Sequence, residues 1–171
     1  MPITHTKIAT TTLSSSISTI DFAGITSAFT DLVIVGQVGA TGSGTGLRFR
    51  LNNNTNSIYR ETRIYASHTG SLPGTPLAAS ASYGPNNFFY LPINTNITTG
   101  LNYTFFININ SYANTGANKS VLWRYNFMES ESSMGAGSFA TTSAISEVNF
   151  FVTSNEFAAG SKITIYGIKA A

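Results

Sequence analysis

The side chains of this 171-residue chain that could exchange protons near neutral pH are few: His5, His68, and the carboxylates Asp21, Asp31, Glu61, Glu129, Glu131, Glu147 and Glu156. There is no cysteine, so the chain has no thiolate nucleophile, no disulfide and no sulfur ligand for a metal. A zinc site wants several imidazole or thiolate ligands at a set spacing, which two isolated histidines cannot supply. A Ser-His-Asp set can be assembled from distant positions. A hydrolase or lyase of that kind would need His68 to meet a carboxylate and a nucleophile in one cleft. No Gly-x-Ser-x-Gly elbow opens a helix here. Glu129 and Glu131 flank Ser130 and could hold a cation, but they read first as a solvated acidic turn.

The glycine run Gly39-Ala40-Thr41-Gly42-Ser43-Gly44-Thr45-Gly46 has the look of a phosphate loop. Such a loop works by opening a helix whose amides hold the phosphate, and it needs a following Lys. Here the strand-like Leu47–Leu51 follows instead, so the run reads as a flexible strand connection. The expectation is that the chain is not an enzyme, with no catalytic residue, no cofactor and no metal.

The elements that must position these groups are strands. Apolar and polar residues alternate with period two along Leu47–Leu51, Tyr103–Asn110 (with Phe106 the exception) and Val121–Phe127, and clusters of Gly, Pro, Asn and Ser separate them. Leu32-Val33-Ile34-Val35 is apolar on both faces and predicts a central strand covered on both sides. Further strands are expected near 17–22, 58–65, 87–91, 145–152 and 163–165. The loops are expected at 39–46, 52–57, 67–86, 111–118 and 129–137. About ten strands in one domain, residues 1–171, predict an all-β, antiparallel, jelly-roll-like β-sandwich, with residues 1–7 as an extended arm. The set Val121, Trp123, Tyr125 and Phe127 could stack on sugars. It reads first as core, where each ring contributes about 2 kcal/mol or more on burial.

The most suggestive constellation lies around the 52–57 turn. If Leu51 pairs opposite Ile58, one face of a hairpin carries Leu47, Phe49, Leu51, Ile58 and Ile64, with Arg60 the misfit. The other face carries Arg48, Arg50, Tyr59, Glu61, Arg63 and Tyr65. Arginine beside tyrosine is a common interface composition. Arg48, Arg50, Tyr59, Arg63 and Tyr65 are therefore candidates for partner contact, and a solvated outer face of Arg–Glu and Arg–Tyr pairs is the equal alternative.

Composition narrows the setting. Only 9% of residues are charged, against roughly a quarter in an ordinary soluble domain, while 42% are hydrophobic. The surface must then be built from Ser, Thr, Asn and Gly, which suits a permanent assembly better than a freely diffusing protein. The net charge of +2 comes from nine cations against seven anions, too small an imbalance to bind nucleic acid. The start, Met1–Lys7, has no apolar signal region, and no run of residues approaches a membrane span, so synthesis in the cytoplasm is expected.

The segment Phe157-Ala158-Ala159-Gly160-Ser161-Lys162-Ile163-Thr164-Ile165-Tyr166-Gly167-Ile168-Lys169-Ala170-Ala171 resembles the closing segment of small tailed-bacteriophage virion proteins. Ile8–Leu13, Ile20–Phe22, Phe29–Ile34, Leu47–Phe49 and Ser57–Tyr65 are similar to the same group. The resemblance covers both ends and the first third. It implies a structural protein of the virion, expected on the particle exterior as a capsid decoration (cement) protein. The partners implied are the major capsid protein and further copies of the chain, with a homotrimer expected. A tail-fibre or receptor-binding module recognising host glycan is the alternative. Neither implies catalytic residues.

Overall fold

A computed structural model describes residues 5–43, 46–67, 79–91, 99–101, 103–127 and 131–169. Among them there are twelve strands and no helix: β1 (His5–Thr12), β2 (Thr19–Ala23), β3 (Asp31–Val38), β4 (Leu47–Leu51), β5 (Tyr59–Ser67), β6 (Ala79–Asn86), β7 (Phe89–Tyr90), β8 (Tyr103–Asn110), β9 (Lys119–Phe127), β10 (Glu131–Phe139), β11 (Glu147–Val152) and β12 (Lys162–Ile168). They form an eight-stranded sheet in the order β1-β12-β3-β8-β9-β10-β5-β6 and a four-stranded sheet in the order β2-β11-β4-β7. Every pairing between these strands is antiparallel. Each strand of the small sheet is reached from the large sheet and left for it, so the chain shuttles between layers.

The core lies between the layers and is dominated by rings. Phe49 stacks on Phe150, tilts against Phe89, and Tyr59 meets Phe89 edge-on with centroids 5.0 Å apart. Val121, Trp123, Tyr125 and Phe127 are all buried, so the β9 aromatics are core residues. Leu32, Val33 and Ile34 are all buried, but the expected cover on both sides does not extend to Val35, which emerges on the outer face of the large sheet.

Three strands arise where the apolar alternation is weak. The expected arm at 1–7 is a strand from His5 onward, with Thr6 opposite Gly167 and Lys7 opposite Tyr166; residues 1–4 lie outside the described residues. The expected loop 67–86 ends in β6, paired to β5. The expected loop 129–137 is mostly β10, held between β9 and β5. Its Ser-Ser-Met-Gly-Ala-Gly-Ser sequence is a consequence of packing. A Cβ on Gly135 would lie 2.4 Å from Trp123 Cζ2, and one on Gly137 would lie 2.7 Å from Phe89 Cε1. The indole takes the space that side chains of β10 would otherwise fill.

Candidate functional site

The 52–57 segment is not a hairpin turn. β4 pairs with β11 and β7 in the small sheet, whereas β5 pairs with β10 and β6 in the large one. The chain arches from one layer to the other through Asn52 and Asn53, whose φ of 55° and 47° lie in the left-handed region that asparagine tolerates. Asn52 Oδ1 accepts from the amides of Ser146 (2.8 Å) and Glu147 (3.3 Å). The buried Tyr59 hydroxyl donates to the Asn54 and Leu51 carbonyls, and burial pushes it up to about 12.

This arch divides the residues that the sequence grouped on one surface. Arg48 and Arg50 stay on the outer face of the small sheet. Tyr59, Glu61 and Arg63 point into the sandwich, and Tyr65 is half-buried, so Tyr59 and Arg63 are no part of an outer face. The parity of β5 is the reverse of the expected one: Arg60, Thr62 and Ile64 face out. Arg63 is one of the largest fully buried side chains. Its Nη2 lies 2.7 Å from Glu61 Oε1, and Glu61 Oε2 accepts the Tyr90 amide at 3.2 Å. Burial pushes the Glu61 carboxyl up to about 7, against the opposing pull of Arg63 and the amide.

On the small sheet, Arg48 lies 4.1 Å over the Phe88 ring and 5.0 Å from that of Tyr90, and Arg50 lies 4.4 Å over Phe151. Arg50 Nε also donates to the Asn87 carbonyl at 3.0 Å. Across the same face, the Asn149 amide donates to Asp21 (2.8 Å) and Glu147 (2.7 Å) and accepts from the Asn53 amide (3.0 Å). The polar groups of this face are largely engaged with one another.

The outer face of the large sheet is different. Its register aligns Val35, Phe106, Arg124, Met134 and Ile64 in one row across β3, β8, β9, β10 and β5. Four intervals of about 4.8 Å make this row roughly 19 Å long. Val35, Ile64 and Met134 are 41%, 52% and 61% exposed, and Leu122, in the adjoining row, is 46% exposed. These four are all the exposed large hydrophobic residues among those described, and they share one face. A shallow trough runs along each side of the row. One, of about 610 Å³, is bordered by Thr104, Asn126 and Ser132. The other, of about 600 Å³, is bordered by Asn108, Leu122, Ala136 and Thr62. Arg124 stacks over Phe106 at 4.9 Å, and no described carboxylate lies within ion-pair distance of it.

The sequence assigned Ile64 to the core and Met134 to a loop, and it marked Phe106 as an irregularity. The available signal was that irregularity itself, an apolar residue on the polar parity of a strand.

The acid–base groups do not gather into a catalytic or metal-binding cluster among the described residues. His5 is exposed on β1, while His68, Glu129 and Ser130 lie outside the described residues. No helix among the described residues is long and apolar enough to cross a membrane. No family model matches the chain, and no curated protein matches its sequence.

Proposed function

We propose that this β-sandwich is a structural component of an assembly, a tailed-phage virion, in which it decorates the capsid shell. The observation that carries the structural reading is the concentration of every described exposed large hydrophobic on the outer face of the large sheet. Contiguous exposed apolar surface on an otherwise polar protein marks an interaction site. The few charges of the chain agree, since a protein fixed in a particle does not depend on surface charge to stay dispersed. The virion is the assembly that the resemblance of residues 157–171 and of the first third supports. Binding to an assembled shell would stabilise it by mass action, as any ligand of the folded state does.

Quantitative mass spectrometry of purified particles from the phage that encodes the chain tests this reading. Hundreds of copies per particle are expected for decoration. A handful, in multiples of three or six, would move the protein to the tail, and absence from the particle would overturn the reading. The core position of Trp123 removes the sugar-stacking surface that would have favoured a glycan-binding module.

A further inference from the structure

We infer that the outer face of the large sheet docks a protein surface that is apolar and presents a carboxylate to Arg124, rather than a second copy of this chain. The inference rests on the assembly reading and deepens it by giving the partner's chemistry. Size comes first. The row spans about 19 Å across five strands, and strands of eight or nine residues are about 27 Å long, so the face offers roughly 500 Å². Doubled over two partners, that reaches about the 1,000 Å² expected of a specific interface.

Charge selects the occupant. Arg124 sits in the middle of the row with Phe106 on one side and Met134 on the other. The remaining cations of the face, Lys7, Arg60 and Lys162, are toward its margins, opposite Tyr166, Ser138 and Gln37. The described carboxylate on this face is Asp31, at the first position of β3, and one of its oxygens already accepts the Ser111 amide at 2.6 Å. Asp31 is four residues along the strand from Val35 and two strands from Arg124, so it is remote from the centre of the row. Face-to-face pairing of two copies about a twofold through the row would therefore place Arg124 against Arg124, with no carboxylate between them. Burying like charges against each other is strongly unfavourable, whereas an opposite charge on the partner turns the same arginine into the specificity element. Arginine is suited to that role, because its flat group keeps its stack on Phe106 while offering a bidentate edge to a carboxylate.

The test uses the whole chain and particles made by the phage when its copy of this gene carries an early stop codon. Purified protein is titrated onto these particles and bound protein is measured after sedimentation. Wild type is expected to bind saturably, and more weakly as salt is raised. Arg124→Glu and the double variant Ile64→Glu/Met134→Glu are each expected to weaken binding tenfold or more. Arg124→Lys should retain most of it, and Thr19→Glu, on the small sheet, should bind as wild type. Melting temperatures of the variants report that each is folded. Equal binding by Arg124→Glu and wild type would overturn the inference while leaving the assembly reading intact. No binding by wild type would overturn the assembly reading and this inference with it. Sedimentation equilibrium showing a dimer that Met134→Glu abolishes would assign the face to a second copy and overturn it.

Discussion

The two outward faces of the sandwich solve opposite problems. On the small sheet, Arg48 and Arg50 lie on Phe88, Tyr90 and Phe151, and Asn149 binds both Asp21 and Glu147, so charged and aromatic groups cover one another. On the large sheet, Val35, Leu122, Met134 and Ile64 remain exposed, and Arg124 has a ring but no described counter-ion. On the first face most of the charged and aromatic groups are engaged within the chain, Arg48 Nε being a buried donor without a hydrogen-bond partner. The second leaves apolar side chains exposed, a difference that the composition of either face alone does not show. Arg48 and Arg50 lie on rings of their own sheet, while the surface proposed for docking consists of apolar side chains and one arginine.

The sharpest way to break this contrast is to compare neighbours on one strand that point to opposite sides. On β5, Arg63→Ala should cost about 3–5 kcal/mol at pH 8, because it leaves the ionised Glu61 buried without its ion-pair partner. Ile64→Ser, one residue on, should stay within about 0.5 kcal/mol. Urea denaturation measures both, and an equal loss at Ile64 would make the outer row part of the fold's own packing. On β10 the same comparison is Gly135→Val, expected to cost about 3 kcal/mol by driving a side chain into Trp123, against Met134→Ser at within about 0.5 kcal/mol.

The buried pair also makes the interior pH-sensitive in a way that neither outer face is expected to be. Glu61 is raised from 4.5 to about 7 in the folded chain, chiefly by burial. Between those values the folded state holds a proton that the unfolded state has released. Stability from this group is therefore complete below about pH 4.5 and is lost as pH rises through about 7. A decline of roughly 3 kcal/mol over that window is expected, and Glu61→Gln should flatten it in denaturation curves taken at several pH values. The smallest effect separates the faces directly. Arg50→Ala should cost about 1 kcal/mol through loss of its stack on Phe151 and its bond to Asn87, while Arg124→Ala, which loses a stack on Phe106, should cost about half as much.

Much of the sandwich was legible because burial imposes period two where one face is dry. Val121, Trp123, Tyr125 and Phe127 are inward as their spacing predicted. β10 was illegible because its inner face gives way to Trp123: two glycines carry no hydrophobic signal, although they line a packed layer. β5 was read with the wrong parity because Glu61 and Arg63 compensate each other inside, and polarity no longer points to solvent once two charges are paired. The docking row was hidden for a different reason. Val35, Phe106, Met134 and Ile64 lie on four strands, and only the order β3-β8-β9-β10-β5 brings them abreast. The local pattern of any one strand contains a single irregular residue, and strand order is not a local property.

The position of β12 between β1 and β3 sets a timetable for folding. β1 has no other partner in the sheet, and one edge of β3 stays open until β12 has been synthesised, long after both. A growing chain therefore carries an unpaired, strongly apolar edge for most of its translation, the kind of edge that templates association with other chains. A chain halted at Gly160 should remain protease-sensitive and aggregate on release, whereas the chain that includes β12 should resist protease and stay in solution.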